Sequence, residues 1–293
     1  MSFQKFKGEV WSAKFQEDLD KTLVFKENCN HTYEGDARQA GDSVRIFRLG
    51  DVPIGAWHHG KLEQLPNPDE ISGSSIIMPI NEVNYFNFFL DDLDKEQAKG
   101  GQGMLAKYTS KAKDNCADII DSFIANLHLN EDKVVHAFST EVQVNVDGSS
   151  GATPILDAID TAYLKLLDNN VSRSTKVTLT MPPELVMLLK RAYVELDTDN
   201  SAMIKNGRVG RYGGIELKES NNCAYETKSI SSVTKKVWHC QLKTDEALAF
   251  VNPYTHMEGY RPDDYFRDCV KGYTLYDGKV VAPKEVIDFN VYL

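Results

Sequence analysis

Histidine and aspartate residues occur in two clusters with the right types for metal binding. His58 and His59 are adjacent, and imidazole is the commonest metal ligand in proteins. Neighbouring residues of a strand point to opposite faces, so the two rings would rarely share one ion. Asp91, Asp92 and Asp94 offer the carboxylates that a hard cation prefers, but aspartate is also favoured as a cap at the start of a helix. Capping is the simpler interpretation, and no metal site is predicted.

A glycine-rich, basic segment spans residues 207–214. A phosphate-binding loop would lie between a strand and the start of a helix. Here the strand-like residues 215–217 follow, so the segment is interpreted as a pair of turns. The sequence contains no P-loop, no Gly-x-Gly-x-x-Gly after a strand, no Gly-x-Ser-x-Gly and no His-Glu-x-x-His. No catalytic residue and no cofactor are predicted, and a cytosolic α/β enzyme with dispersed site residues is the less favoured alternative.

The composition argues against several classes of protein. The 293 residues include 33 lysines and arginines against 43 aspartates and glutamates, a formal net charge of −10. Surfaces that bind duplex DNA are usually basic and clustered, so tight direct DNA binding is disfavoured. No apolar run approaches the length of a membrane span, and the first residues do not resemble a signal peptide. We therefore expect a protein without a membrane segment, made and assembled in the cytoplasm, with five free cysteines.

A long amphipathic helix is the strongest local signal. Its apolar residues recur at the period of one helix face. They are Leu105, Tyr108, Ala112, Cys116, Ile119, Phe123 and Leu127, with Ile120 and Ile124 widening the face. The pattern predicts a helix over residues 104–129, roughly 40 Å long. Gly100, Gly101 and Gly103 precede it, and each glycine costs about 1 kcal/mol inside a helix relative to alanine. These glycines predict a hinge.

Residues 1–35 are interpreted as an arm. They contain a short amphipathic stretch with the bulky aromatic residues Trp11 and Phe15. Short isolated helices are marginally stable in water, so this stretch must pack on something. The chain's own core and a neighbouring subunit are both open as the packing partner.

An extended hairpin is predicted next. Residues 41–49 and 76–80 alternate as strands do, and the irregular stretch between them contains Trp57, His58 and His59. A two-stranded hairpin is marginally stable alone and has unpaired edges. Such a hairpin suits contacts with a second molecule.

The second half of the chain predicts a mixed domain of sheets and helices. Thr153 and Pro154 indicate a helix start, with threonine as the cap and proline at the first helical position. Residues 176–180 are predicted to form a strand, and a further helix is predicted after it. Asp277 and Gly278 join two strand-like runs and are a strong signal for a tight hairpin.

The order of these elements resembles the major capsid proteins of tailed bacteriophages, which have the Hong Kong 97-like fold. The stretch around Trp11 is similar to the arm of that family. Residues 33–46 resemble the start of its extended loop, and residues 86–97 resemble the segment that leads into its spine helix. Residues 178–189 resemble a strand-to-helix passage in its axial domain, and residues 206–210, 214 and 220–222 resemble the turns after it. Residues 247–250, 272–276 and 279–285 resemble its closing strands.

The resemblance implies an α+β chain with the Hong Kong 97-like capsid fold: an N-terminal arm, an extended β-hairpin loop, a long spine helix, and peripheral and axial domains. The expected boundaries are 1–35 for the arm, 36–84 for the hairpin loop, 85–146 with 243–293 for the peripheral domain and 147–242 for the axial domain. The spine helix is expected at about 95–129.

The implied function is structural. Hexamers and pentamers of the chain would form an icosahedral shell around packaged double-stranded DNA, in a virion assembled in the host cytoplasm. The implied partners are other copies, a portal protein, a decoration protein and, because the arm begins at residue 1, a separate scaffolding protein. The shell would enclose DNA without sequence-specific binding. An encapsulin-like compartment, which shares the fold, is the structural alternative. The candidate intersubunit contacts are Trp11, Phe15, Trp57, His58 and His59.

Overall fold

The computed structural model describes residues 23–33, 43–49, 73–91, 104–171, 175–195, 208–230 and 232–293. These residues contain three α-helices, α1 (Met104–Asn126), α2 (Ile155–Asp168) and α3 (Pro183–Glu195). The strands in the same residues are β1 (Ser43–Leu49), β2 (Gly73–Pro79), β3 (Glu82–Asp91), β4 (Val135–His136), β5 (Val142–Asn145), β6 (Thr153–Pro154), β7 (Val177–Met181), β8 (Arg208–Tyr212), β9 (Ile215–Glu219), β10 (Ala224–Ile230), β11 (Val233–Thr244), β12 (Leu248–Tyr260), β13 (Arg267–Val280) and β14 (Val286–Tyr292). The α+β prediction is confirmed.

The strands form three sheets. β1 and β2 make an antiparallel hairpin, and β12, β13 and β3 make a three-stranded sheet in that order. The remaining strands form a nine-stranded sheet with the main path β6-β5-β14-β11-β7-β9-β8, to which β10 is added beside β11 and β4 beside β14. β7 and β9 are parallel, whereas β11 is antiparallel to both β14 and β7.

Helix α1 confirms the predicted long helix, and a 3-10 turn at Leu127–Asn130 continues it. Its buried face differs from the predicted stripe, because Tyr108 and Ile119 are about half exposed, at 49% and 51%. On a helix with about 3.6 residues per turn, the buried face is rotated by roughly a quarter of a turn from that stripe. The buried side chains are Cys116, Ala117, Ile120, Asp121, Ile124 and Ala125.

The rotation arises because α1 packs against two layers. On the side of the predicted stripe, the ring of Tyr108 lies 6.3 Å from that of Phe88 in β3. On the same side, Phe123 lies 5.3 Å from Tyr276 in β13. The apolar side chains of α1 that are fully buried belong to the main core, which includes residues of the nine-stranded sheet and also Tyr276 of β13. The predicted stripe therefore contacts the three-stranded sheet at its edge, and the buried face of α1 packs into the main core.

Helices α2 and α3 complete the main core. The residues that α2 buries recur every three or four positions, as in an amphipathic helix; they are Ile155, Ala158, Ile159, Ala162 and Leu166. All five residues of β7 are buried, so this strand, which lies between β9 and β11, is covered on both faces.

The predicted tight hairpin at Asp277 and Gly278 is wrong, because β13 runs straight through both residues. A Cβ atom at Gly278 would lie 2.9 Å from Cδ1 of Leu127 and 3.2 Å from the carbonyl oxygen of Ala249. Glycine is needed here for close packing against the end of the long helix. A strand glycine often marks such a close approach.

The predicted start of α2 is shifted by one residue. Thr153 and Pro154 form the short strand β6, and the helix begins at Ile155. Pro154 has φ −54° and ψ 137°, an extended conformation, so it precedes the first turn and is not part of it. Pairing of β6 with β5 accounts for the extension.

Asp121 of α1 anchors the segment formed by residues 23–33. Its carboxylate accepts hydrogen bonds from the backbone N–H groups of Val24 (3.0 Å) and Phe25 (3.2 Å). Burial raises the pKa of Asp121 to about 6, although the two backbone hydrogen bonds oppose the shift. The ionised carboxylate therefore costs the folded state free energy at neutral pH, even though it organises the segment.

Two fully buried lysines hold the same segment from the sheet. Nζ of Lys218 lies 2.6 Å from Oε2 of Glu27. Nζ of Lys243 donates a hydrogen bond to the carbonyl oxygen of Asn28, also at 2.6 Å. Each buried ammonium group thus has an oxygen partner on residues 23–33, which fixes this segment against β9 and β11.

The Asp121→Asn variant should change how stability depends on pH. The folded pKa of about 6 lies above the ordinary value of 3.8, so protonation favours the folded state as the pH falls between these values. We expect the wild type to gain about 2 kcal/mol relative to the variant between about pH 7.5 and pH 4. Urea denaturation at a series of pH values measures this difference. A difference that is constant with pH would exclude Asp121 as the titrating group.

Candidate assembly surfaces

One face of the three-stranded sheet is exposed and aromatic. Tyr85 of β3 pairs with Tyr273 of β13, which pairs in turn with His256 of β12. The ring of Tyr273 lies 5.8 Å from that of His256 and 5.7 Å from that of Tyr254. Tyr85 is 81% exposed and Phe89, on the same face, is 58% exposed. We call this surface the aromatic face; it consists of Tyr85, Phe89, Tyr254, His256, Tyr260 and Tyr273.

Charged side chains cross the aromatic face. Nζ of Lys271 lies 2.6 Å from Oε1 of Glu258 and 5.0 Å from the ring centroid of Tyr260. At one end, the guanidinium of Arg267 lies 4.5 Å from the ring centroid of Phe89. Cations placed over aromatic rings in this way are stabilised by cation–π attraction. The face combines aromatic contact area with arginine and paired charges, a composition enriched at protein interfaces.

The opposite face of the same sheet is covered by the chain itself. Val270 and Met257 are buried there, and the ring of Phe86 lies over Gly272. A Cβ atom at Gly272 would be 2.6 Å from Cζ of Phe86, so the ring requires a glycine beneath it. Because side chains alternate along a strand, burying this face forces the aromatic face outward. Large exposed apolar patches mark interaction sites.

The hairpin formed by β1 and β2 is a second exposed apolar element. On one side, Val44, Ile46 and Met78 are buried in a small cluster with residues of β12. On the other side, Phe47 is 76% exposed and Ile77 is 51% exposed. The base of the hairpin is therefore fixed to its own subunit, and its outer side offers apolar contacts to another molecule.

Comparisons with known proteins give no match by sequence: no family model and no curated protein matches the chain. Solved structures do match. A structure of Mycobacterium phage Che8 superposes with a TM-score of 0.70 at 22% identity, over 92% of this chain and 90% of that chain. The capsid structure of the cyanophage P-SCSP1u gives 0.63 at 15% identity, over 86% and 83%. The virus-like particle from Pyrococcus furiosus gives 0.57 at 10% identity, over 96% and 98%.

The chain has the Hong Kong 97-like capsid fold. The matches extend over most of both chains in each comparison, so the likeness covers the whole order of elements and not one motif. The fold predicted from the sequence is therefore confirmed. In this capsid fold, α1 is the long helix, and β1 and β2 pair as an antiparallel hairpin.

The site residues proposed from sequence lie outside the described part of the capsid fold. They stay predictions: Trp11, Phe15, Trp57, His58 and His59 as intersubunit contacts, and Gly100, Gly101 and Gly103 as a hinge. Sequence reasoning missed the aromatic face. Its signal is present in β3, where aromatic residues occupy both faces of the strand, but the register with β12 and β13 is needed to join them into one surface.

A buried carboxylate lies where the 3-10 turn after α1 meets β4, β11 and β14. The side chain of Asp288 is fully buried and faces three histidines. Oδ1 lies 3.3 Å from Nε2 of His128, and Oδ2 lies 2.6 Å from Nδ1 of His136 and 2.8 Å from Nδ1 of His239. Burial opposes ionisation, yet the hydrogen bonds from His128 and His239 outweigh it and hold the pKa of Asp288 well below its usual value. Asp288 therefore stays ionised inside the protein.

The described residues offer no group of three or more histidine, cysteine, aspartate or glutamate side chains arranged to hold a metal ion. The five cysteines are free and buried. Of the helices in the described ranges, none is long and apolar enough to cross a membrane.

Proposed function

We propose that the chain is the major capsid protein of a tailed bacteriophage and that it acts as a structural protein, not as an enzyme. Copies of it would assemble into hexamers and pentamers that close an icosahedral shell around packaged double-stranded DNA. The observation that carries this proposal is the capsid fold together with two apolar surfaces that one subunit leaves exposed. These are the aromatic face and the outer side of the hairpin, with Phe47 and Ile77.

The parts of the subunit receive distinct roles in this proposal. The arm (1–35) and the hairpin loop (36–84) reach neighbouring subunits, and the axial domain (147–242) and peripheral domain (85–146 and 243–293) tile the shell. The hinge predicted at the glycines before α1 would absorb differences in curvature between hexamers and pentamers. Trp11 and Trp57 would be among the intersubunit contacts. A net charge of −10 disfavours electrostatic attraction between the inner surface of the shell and DNA. The shell would therefore enclose DNA without sequence-specific binding.

Further partners follow from the same proposal. A separate scaffolding protein would direct assembly in the host cytoplasm, a portal protein would occupy one vertex, and a decoration protein could bind the outer surface of the virion capsid. The second candidate function is the shell of an encapsulin-like compartment. The observation that favours this candidate is the match to the virus-like particle from Pyrococcus furiosus. Nucleic acid inside native particles would favour the phage capsid, and enclosed protein cargo would favour the compartment.

Removing the tip of the hairpin tests the proposal. Residues 50–72 are replaced by Asn-Gly, because Leu49 pairs with Gly73 and a two-residue turn closes an antiparallel hairpin at that spacing. We expect folded subunits that no longer form shells, since the bridge to the neighbouring subunit is lost. Sedimentation velocity measures assembly, and far-ultraviolet circular dichroism of the same sample controls for folding. Unaltered assembly of the shortened chain would refute the bridging role.

A further inference from the structure

Two cysteines lie opposite each other where β10 begins. β10 and β11 are antiparallel, and their register places Ala224 opposite His239. Cys223 comes directly before Ala224, and Cys240 comes directly after His239. The next position of the same register therefore sets the two cysteines across from each other. Side chains of opposite residues in an antiparallel pair lie on the same face of the sheet. Both cysteines are buried.

The spacing of opposite residues fits a disulfide bond. Opposite Cα atoms of an antiparallel pair are about 4.5 to 5.5 Å apart, and a disulfide bond accepts Cα separations of about 4.4 to 6.8 Å. The contacts of the side chains agree with this register, because the thiol of Cys240 is hydrogen-bonded to that of Cys223. The thiol of Cys223 in turn donates a hydrogen bond to the carbonyl oxygen of Ser220 at 3.3 Å. The two sulfur atoms are therefore neighbours in the folded subunit.

The other three cysteines have different surroundings. Cys269 of β13 lies opposite Phe89 of β3 in the small sheet. Cys116 lies on helix α1. The sulfur of Cys29 lies 3.3 Å from Nζ of Lys243. All five cysteines belong to the described residues, and strand pairing brings only Cys223 and Cys240 opposite each other.

We propose that Cys223 and Cys240 form a disulfide bond within the folded subunit when a low-molecular-mass disulfide, such as oxidised glutathione, acts as the oxidant. Two S–H bonds of the protein and the S–S bond of the oxidant break. One S–S bond forms between the two cysteine sulfurs, and two molecules of reduced glutathione carry away both protons. The protein sulfurs are oxidised and glutathione is reduced. The bond lies within one subunit, so it does not depend on the assembly of a shell.

The exchange proceeds in two attacks on sulfur, each made by a thiolate. Cys223 makes the first attack, because it follows the turn at residues 221–222 and precedes β10, which pairs with β11 and with no other strand among the described residues. This attack releases one glutathione and leaves the other bound to Cys223. Cys240 then attacks the sulfur of Cys223 and releases the second glutathione. Burial raises the pKa of Cys240, so the second attack should be slow at neutral pH.

The bond would join a segment that contacts the long helix to the middle of the large sheet. Nδ2 of Asn222, next to Cys223, donates a hydrogen bond to Oδ1 of Asp118 in α1 at 3.1 Å. Cys240 lies in β11, which pairs with both β14 and β7. Cross-links of this kind stabilise a fold mainly by restricting the unfolded chain.

The timing of the bond rests on the proposed function, whereas the bond itself does not. The cytoplasm keeps thiols reduced, so the pair would stay open while the subunit folds there. A shell that leaves the cell in a virion would meet an oxidising medium, and each subunit could then close the bond.

Peptide mapping of the oxidised full chain tests the proposal. The folded protein is incubated with oxidised glutathione at about pH 8, where thiolates are more abundant, and the remaining thiols are then alkylated. Mass spectrometry without reduction should find one linked pair of peptides, those that contain Cys223 and Cys240, and the loss of two of the five thiols. The same oxidation in concentrated urea is the control and should give mixed pairings. Retention of all five thiols in the folded protein, or linkage of other pairs in it, would overturn the proposal.

Two variants check that the pair forms as the register indicates. Cys240→Ala should yield no internal link and at most a mixed disulfide with glutathione on Cys223. Cys269→Ala, a buried cysteine in the other sheet, is the matched control and should form the same link as the wild type. An internal link that persists in Cys240→Ala would contradict the assignment.

Stability measures whether the bond fits the native fold. The oxidised wild type should unfold at a urea concentration higher by on the order of 1 M than the reduced protein, because the bond closes a loop in the unfolded chain. Dithiothreitol should remove the difference, and Cys240→Ala should show none. An unchanged or lower midpoint for the oxidised wild type would show that the bond strains the fold and would overturn its role as a staple between β10 and β11.

Discussion

The Asp288→Ala variant is expected to lose about 3–5 kcal/mol of folding free energy, which is the cost of leaving a buried ionic network without one partner. Three imidazole groups would lose their common acceptor, and two of them, those of His128 and His239, are buried. Urea denaturation of purified subunits measures the loss. Asp288→Asn keeps one acceptor oxygen and should lose less.

The matched control for Asp288 is Asp263→Ala, since Asp263 is an exposed aspartate in the loop before β13. Surface substitutions of this kind usually change stability by less than about 0.5 kcal/mol. If Asp288→Ala cost no more than the control, the buried cluster would not hold the sheet to the end of α1.

The depressed pKa of Asp288 also fixes the sign of a pH effect. A carboxyl group whose pKa is lower in the folded state stabilises the fold at pH values above its ordinary pKa of 3.8, and this stabilisation is lost as the pH falls below that value. Asp121 acts in the opposite direction at higher pH, because burial raises its pKa to about 6. Comparing Asp288→Ala with Asp121→Asn across this range separates the two contributions.

Placing charge on the aromatic face should abolish assembly while leaving the subunit folded. We expect this of the double variant Tyr85→Glu with Phe89→Glu. Both side chains are mostly exposed in the subunit, so the change in folding free energy should stay within about 1 kcal/mol. At an interface, truncation of a central aromatic residue typically costs about 2 kcal/mol or more, and a buried unpaired charge costs further free energy. Repeated at every contact of a shell, this loss prevents closure.

For the variant Tyr85→Glu with Phe89→Glu, sedimentation velocity measures assembly, and thermal unfolding of the same preparation measures folding. The conservative variant Tyr85→Phe with Phe89→Tyr keeps both rings and should assemble as the wild type does. Shells formed normally by the glutamate variant would show that the aromatic face is not an interface between copies of the chain.

The long helix could be predicted from sequence because its signal is local. The spacing of apolar residues indicated a helix over 104–129, and α1 with its following turn agrees. The direction of its buried face could not be predicted in the same way. Two layers compete for the helix, and the aromatic contacts of Tyr108 and Phe123 take the side that periodicity alone assigns to the core.

Asp277 and Gly278 show a second limit of local signals. The pair is typical of a tight turn, but the same glycine serves in a strand where Leu127 approaches closely. Turn propensity and close packing favour the same residue type. The position of the long helix against β13 decides whether Gly278 forms a turn or a close contact within a strand.

The Asp288 cluster could not be predicted from the sequence, because the topology of the large sheet brings together residues that lie far apart in the chain. Its members come from four elements that are brought together by the order of strands in the large sheet, with His128 lying 160 residues before Asp288. No spacing in the sequence connects them. The aromatic face is an intermediate case, since the residues of β3 could be assigned to one side but their partners in β12 and β13 depend on register.

The most direct test of the central claim is the size and form of the purified protein, imaged by negative-stain electron microscopy and sized by chromatography. The capsid proposal predicts closed shells tens of nanometres across, built from rings of six and five subunits. Discrete small oligomers that turn over a metabolite would contradict it and would support the enzyme alternative.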